Sequence, residues 1–219
     1  MPMKILVACE ESQRVCISFR NKGHEAFSCD IQEPSGGFPE YHIHDNALSI
    51  LGGGMIRTMN GDEHYINHWD MIIAHPPCTY LTNASSVRIR VKGVIQEERY
   101  RNAMKAKEFF LKFLNADCER ICVENPVPMK LVDLPTYTQI IEPWQFGEPW
   151  KKKTCLWLRG LPKLNPTQII TYGIQPWVNG GSKDSNGNYR RFKGRNERDP
   201  KNRSKTFWGI AKAMAEQWG

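Results

Sequence analysis

The feature that most constrains this chain is a series of short apolar runs, each of which stops at a polar cluster. Lys4–Cys9 is apolar and is followed by Glu10-Glu11-Ser12. Glu25–Asp30 ends on an acid, and Trp69–Ala74 stops at His75-Pro76-Pro77-Cys78. Arg120–Val123 stops at Glu124-Asn125-Pro126, and Lys153–Leu158 reads as a further run of the same kind. Between them lie helical patterns. Glu11–Lys22 carries Val15, Ile17 and Phe19, with Gly23 where a helix stop is expected. Glu97–Leu114 brings Tyr100, Ala103, Met104, Phe110, Phe113 and Leu114 near one stripe, and Trp208–Trp218 closes the chain as a helix. Strands alternating with helices predict an α/β fold, a mostly parallel sheet covered on both faces. In such sheets ligands bind beyond the carboxyl ends of the strands. The polar clusters are expected at those ends, and their coincidence is the main argument for an active site.

Residues 31–65 read as irregular, with Pro34, Gly36-Gly37 and the run Gly52-Gly53-Gly54. Residues 165–203 are rich in Asn, Gly, Arg and Lys and read as a basic loop or small lobe. The expected division is therefore a catalytic body over 1–164, a basic segment over 165–203, and a C-terminal helix over 204–219 that packs back on the body. No apolar run approaches the roughly 18 residues of a membrane span, and the N-terminus reads as a first strand.

Charge is unevenly spread. The chain has a net charge of +7, yet residues 1–150 hold 15 Lys/Arg against 19 Asp/Glu. Residues 151–205 hold 14 Lys/Arg against Asp184, Glu197 and Asp199 only. A basic segment on a mildly acidic body suits a polyanionic partner. Arg190, Arg191, Lys193, Arg195 and Arg198 are its densest part; the plainer reading of any one of them is a solvated surface charge.

The seven cysteines form no CxxC pair, and most sit in apolar runs. Buried free thiols in a reducing compartment fit better than disulfides or a zinc site. No metal is expected; His42 and His44 alternate in a strand-like stretch, but no third ligand is apparent. Cys78 stands apart, because two prolines stiffen the turn that presents it. The polar loop of residues 79–93 follows, with Arg88, Arg90 and Lys92, and nearby cations favour the reactive thiolate. Glu124 is expected at a strand end in a half-buried cleft, where a carboxyl pKa rises and the group can donate a proton.

These residues, taken in order, resemble the cytosine-5 DNA methyltransferase family, in its short versions from phages and prophages. Pro77-Cys78 matches the Pro-Cys loop that ends that family's fourth strand, and Glu124-Asn125 the Glu-Asn pair that ends its fifth. The likeness runs weakly through residues 3–160 and again through 203–218. It departs in the turn Ala8-Cys9-Glu10-Glu11-Ser12, which lacks the family's glycines, and in Thr79 after the cysteine. No Gln-x-Arg-x-Arg motif is present; Thr154 and Lys151–Lys153 lie where it would be.

The resemblance implies a Rossmann-like S-adenosylmethionine-dependent fold, acting in the cytoplasm of a bacterial or phage-infected cell. It implies Cys78 as nucleophile at carbon 6 of cytosine and Glu124 as proton donor to the ring. It places the cofactor against Ala8, Cys9, Glu10, Asp30, Asp45, Pro76 and Thr206, the last within Arg203-Ser204-Lys205-Thr206. DNA contacts are expected from Pro77, Asn125, Arg88, Arg90, Lys92, Arg190, Arg191, Arg195 and Arg203, with backbone amides at a helix N-terminus assisting the cofactor grip. The target base must leave the stack for a thiol to reach it. Trp144, Trp150, Trp157, Trp177 and Trp208 could stack on bases or pack in the core. With so small a recognition segment, a partner protein could supply specificity. Two other readings stay open: the same chemistry on RNA or a free cytosine nucleotide, and a non-catalytic nucleic-acid-binding protein on the same scaffold.

Overall fold

A computed structural model describes residues 2–183, 185–195 and 199–219. Strand β1 (Lys4–Ala8) leads through helix α1 (Arg14–Arg20) to β2 (Glu25–Asp30) and β3 (His42–His44). A hairpin of β4 (Gly54–Arg57) and β5 (Glu63–Ile66) precedes β6 (Met71–Ala74). Then come α2 (Asn83–Ile89), a small hairpin of β7 (Arg90–Val91) and β8 (Val94–Ile95), and α3 (Glu97–Leu114). β9 (Arg120–Pro126), β10 (Gln139–Ile141), β11 (Trp150–Lys151) and β12 (Thr154–Arg159) follow. The basic segment holds β13 (Gln175–Pro176) and a hairpin of β14 (Gly180–Lys183) and β15 (Tyr189–Phe192). The chain ends in α4 (Pro200–Ser204) and α5 (Trp208–Trp218).

The central sheet has seven strands in the order β10-β12-β9-β6-β1-β2-β3. From β3 to β9 neighbours are parallel; β12 is antiparallel to both β9 and β10. Ile5, Leu6, Val7 and Ala8 are wholly buried, as a strand covered on both faces requires. Side chains alternate between two layers. Leu6, Ala8, Ile72, Ala74, Ile121 and Val123 meet Ala103, Phe110 and Phe113 of α3. Ile5, Val7, Met71, Ile73 and Cys122 meet Val15 and Phe19 of α1 and Ile210 and Met214 of α5. Helices thus cover both faces of a mixed α/β sheet.

The chain walks outward from β1 to β2 and β3, then returns to the other side of β1 at β6 and moves on to β9. Strand order therefore reverses between β1 and β6, and in sheets of this kind ligands bind beyond the carboxyl ends at such a point.

The elements depart from the sequence reading in several places. α1 starts at Arg14 rather than Glu11, because Gln13 is left-handed at φ 58°. β6 is two residues shorter than the apolar run that contains it. The stretch over 31–65 is not wholly irregular, since β3 and the β4–β5 hairpin lie in it. The 79–93 loop folds into α2 and the turn of the β7–β8 hairpin, where Lys92 and Gly93 take φ 48° and 85°, the positive pair of a type I′ turn. β9 runs on through Glu124-Asn125-Pro126, because β12 pairs with it as far as Thr154↔Pro126.

Candidate active site

Parallel register builds the site. Ala8 pairs with Ala74, and Ala74 with Val123. The residues one step further, Cys9, His75 and Glu124, are therefore neighbours at adjoining strands. The His75 backbone N–H donates to Ala8 O at 2.9 Å. His75 Nδ1 and Glu124 Oε2 are 2.9 Å apart, with both side chains about nine-tenths buried. Asn125 Nδ2 donates to Pro76 O at 2.8 Å and so fixes the turn that carries Cys78. The Asn125 Oδ1 is buried without a partner. Cys78 itself is half-buried and Pro77 is exposed. The Cys78 carbonyl accepts from Leu81 N at 3.0 Å and Thr82 N at 3.3 Å, which seals the turn from below.

Electrostatics depart from two expectations. Burial raises the Cys78 thiol, the Glu124 carboxylate raises it further, and Lys152 and Arg203 pull it down. The cations that bear on this sulfur come from the link before β12 and from α4, while Arg88, Arg90 and Lys92 are exposed on α2 and the hairpin. The thiol is therefore held above its usual range rather than below it. Glu124 is corrected in the same way. Burial pushes its carboxyl up, but the hydrogen bond and charge of His75, with Lys152 behind, outweigh that and lower it. It rests as a carboxylate. His75 is the complement: burial opposes its charge, yet Glu124 and then Glu10 raise its pKa. Burial lowers the Lys152 ammonium, while Glu124 and Cys78 support it.

Glu10 changes the expected cofactor grip. Its buried carboxylate accepts from Val15 N at 2.7 Å and Cys16 N at 3.2 Å, at the start of α1. Those helix amides are occupied by the chain's own side chain and are not free for a ligand. Burial raises the Glu10 carboxyl even so. Ala8 ends β1 in the core, and the Cys9 thiol, at φ 58°, is pushed far up by burial.

Of the other residues expected at the cofactor, Asp30 and Asp45 lie at the carboxyl ends of strands, and Thr206 lies between α4 and α5. Asp30 ends β2, with Oδ1 accepting from Gln32 N at 2.9 Å. Asp45 is exposed just past β3, bonded to Asn46 N at 2.6 Å and Ser49 Oγ at 2.9 Å. The Thr206 carbonyl accepts from Arg14 Nη1 at 2.9 Å, so the C-terminal segment is tied to α1. Sequence reasoning missed Glu11. Among the described residues its buried carboxylate has no hydrogen-bond partner, and Lys201 (3.8 Å) and Lys205 (4.0 Å) approach it. An acidic residue directly before a helical run was the available signal.

Arg203 reaches this site, whereas Arg190, Arg191 and Arg195 are exposed on the β14–β15 hairpin and the turn after it. Arg198 lies outside the described residues. His42 bonds Ser28 Oγ and Gln32 O, and His44 Nε2 bonds Ile31 O. Among the described residues no three His, Cys, Asp or Glu side chains converge as metal ligands. All seven cysteines are free thiols. Trp157 packs on Phe110 and Tyr137, and Trp150 and Trp177 on each other; Trp208 is part-exposed under Arg14. Among the described residues no helix is long and apolar enough to cross a membrane.

No protein-family model matches the chain, and no curated protein matches it.

Proposed function

We propose that the chain is a Rossmann-like, S-adenosylmethionine-dependent methyltransferase that acts on carbon 5 of cytosine in DNA. One observation carries the reading: a proline-fixed cysteine and a carboxylate from the adjacent strand share one charge network at the end of the sheet where strand order reverses. Carbon 5 of cytosine is a poor nucleophile. Addition of Cys78 sulfur to carbon 6 makes the ring an enamine, which can attack an electrophilic methyl group. Glu124, bonded to His75 on one oxygen, is the group assigned to ring nitrogen 3.

The cofactor supplies the methyl group. The residues present fit it: Asp30 and Asp45 are acceptors for hydroxyl groups, and the unbonded Glu11 carboxylate suits an ammonium. The glycine-poor turn and Glu10 on the helix amides mean that this grip relies on side chains rather than on backbone N–H groups.

Arg88, Arg90 and Lys92 on one side, and Arg190, Arg191 and Arg195 on the other, are assigned to DNA phosphates, which need charge and no sequence code. The small basic segment suits low sequence specificity, or specificity supplied by a partner protein. The setting that suits this chemistry is the cytoplasm of a bacterial or phage-infected cell. The sealing of the α1 amides by Glu10 favours a second reading, a nucleic-acid-binding protein without transfer.

Nucleoside mass spectrometry of DNA from cells expressing the chain decides between them. A 5-methylcytosine signal that disappears with Cys78→Ala supports the enzyme. Its absence, with DNA binding intact, supports the second reading. Labelled-methyl transfer to RNA or dCTP alone would move the substrate.

A further inference from the structure

Resting on the reading of Cys78 and Glu124 as a cytosine-addition site, we infer that His75 is a positioning residue that lets Glu124 act twice on one proton. Glu124 first takes the Cys78 thiol proton and then delivers it to nitrogen 3 of the base.

The resting charges of the site call for such a path. A carboxylic acid would donate to nitrogen 3 directly, but Glu124 rests as a carboxylate against His75. Cys78, in turn, rests largely as a thiol and needs a base. Both difficulties are removed if the thiol proton is the one the ring receives. His75 holds Glu124 Oε2 at 2.9 Å; Oε1 takes no part in that bond and is the oxygen assigned to the shuttle. The His75 backbone is anchored by the strand-end bond from its N–H to Ala8 O at 2.9 Å. Its Nε2 is buried with no partner, so Glu124 is the ring's one hydrogen-bonding anchor among the described residues.

The step balances. The Sγ–H bond breaks and its proton passes to Glu124 Oε1. The Sγ–C6 bond forms as the C5=C6 pair shifts to C4–C5 and the C4=N3 pair moves to N3. The Oε1–H bond then breaks as N3–H forms. The net change is addition of the thiol across C6 and N3, with Glu124 returned as a carboxylate. The groups facing His75 from each packed element are Glu124 on β9, Glu10 after β1 and Lys152 before β12. Arg14 and Arg203 add their charges around Lys152. The carboxylates favour the imidazolium, and Lys152 opposes it.

The experiment has two readouts. Nitrogen-15 NMR of the wild-type protein follows His75 across pH 5 to 9, beside Glu124→Gln. The expected result is an imidazolium that persists above the ordinary midpoint and reverts in the variant. Methyl transfer against pH is then compared for wild type and His75→Gln. Without the cation, the Glu124 carboxyl rises, and the acid limb moves up by about one pH unit or more. A uniform loss at every pH, with the limb unmoved, marks a structural role and overturns the inference. So does an ordinary His75 titration indifferent to Glu124→Gln. Absence of transfer by the wild type to DNA, RNA or dCTP sinks the functional reading and the proton path with it. An ordinary His75 titration with transfer intact sinks the proton path alone.

Discussion

Lys152 Nζ donates to the main-chain carbonyl of Arg203 at 2.9 Å, so one lysine ties down the C-terminal segment while its charge bears on Cys78 and Glu124. Lys152 lowers the Cys78 thiol and Glu124 raises it. The two groups should therefore change its reactivity in opposite directions. Lys152→Met is expected to slow alkylation of Cys78 by iodoacetamide at pH 8 by about threefold or more, because the thiolate is the reacting form and grows scarcer as the thiol pKa climbs above the solution pH. Glu124→Gln should speed it. Peptide mass spectrometry over a time course reads both. Equal rates in all three proteins would remove Lys152 from the site's electrostatics.

Much of this was legible in the sequence, and the illegible parts share a cause. β2, α3 and α5 have the bounds that local pattern predicts, because burial of one stripe or of a continuous run decides them. Local pattern fails where a distant segment acts. β9 extends through Pro126 because β12, some thirty residues on, supplies an antiparallel partner. The His75–Glu124 bond depends on the parallel register of two strands, and no spacing rule displays it. Lys151–Lys153 is legible as a basic run, but only the fold singles out Lys152. The β7–β8 hairpin was readable: Val91-Lys92-Gly93-Val94 places glycine in a two-residue turn between branched residues.

The His75–Glu124 pair also sets a pH window for stability. The His75 pKa is raised in the folded state, so its contribution is complete below the ordinary 6.5 and is lost as pH rises through the folded value. The Glu124 pKa is lowered, so its contribution is complete above the ordinary 4.5 and is lost as pH falls through the folded value. The coupling should be greatest between those two limits. A double-mutant cycle with His75→Gln and Glu124→Gln, followed by thermal melting from pH 4 to 9, measures it. Removal of one partner should cost on the order of 3 kcal/mol within the window. Coupling that stays flat across that range would contradict the pairing.

Glu10 makes a separate prediction about α1. Its carboxylate is the partner of two buried helix N–H groups, on Val15 and Cys16. Glu10→Ala leaves both without an acceptor, at a cost of about 1 to 3 kcal/mol for each buried group, beyond the roughly 1 kcal/mol of an ordinary cap. Glu10→Gln keeps one acceptor oxygen and should lose less. Differential scanning calorimetry is expected to rank the melting temperatures wild type, Gln, Ala. An alanine variant that melts with the wild type would mean that water or another side chain caps the helix.

The basic hairpin can be separated from the Cys78 site by its salt dependence. Arg191 and Arg195 are exposed, far along the chain from Cys78, and a phosphate contact carries no base specificity. Each phosphate neutralised by a protein cation adds about 0.9 to the slope of log affinity against log salt. Arg191→Ser and Arg195→Ser together should lower that slope by about 1.8 if both touch the duplex. The loss should be equal on unrelated sequences, because neither group reads a base. The thiol alkylation rate of Cys78 should not move, since neither arginine is among the charges that most affect that sulfur. Fluorescence anisotropy with two unrelated duplexes, between 50 and 300 mM salt, gives the slopes. An unchanged slope would place the hairpin off the DNA path and leave Arg88, Arg90 and Lys92 to carry the phosphate contacts. A loss confined to one sequence would instead make the hairpin a base reader, and the recognition element would then lie within residues 180–195.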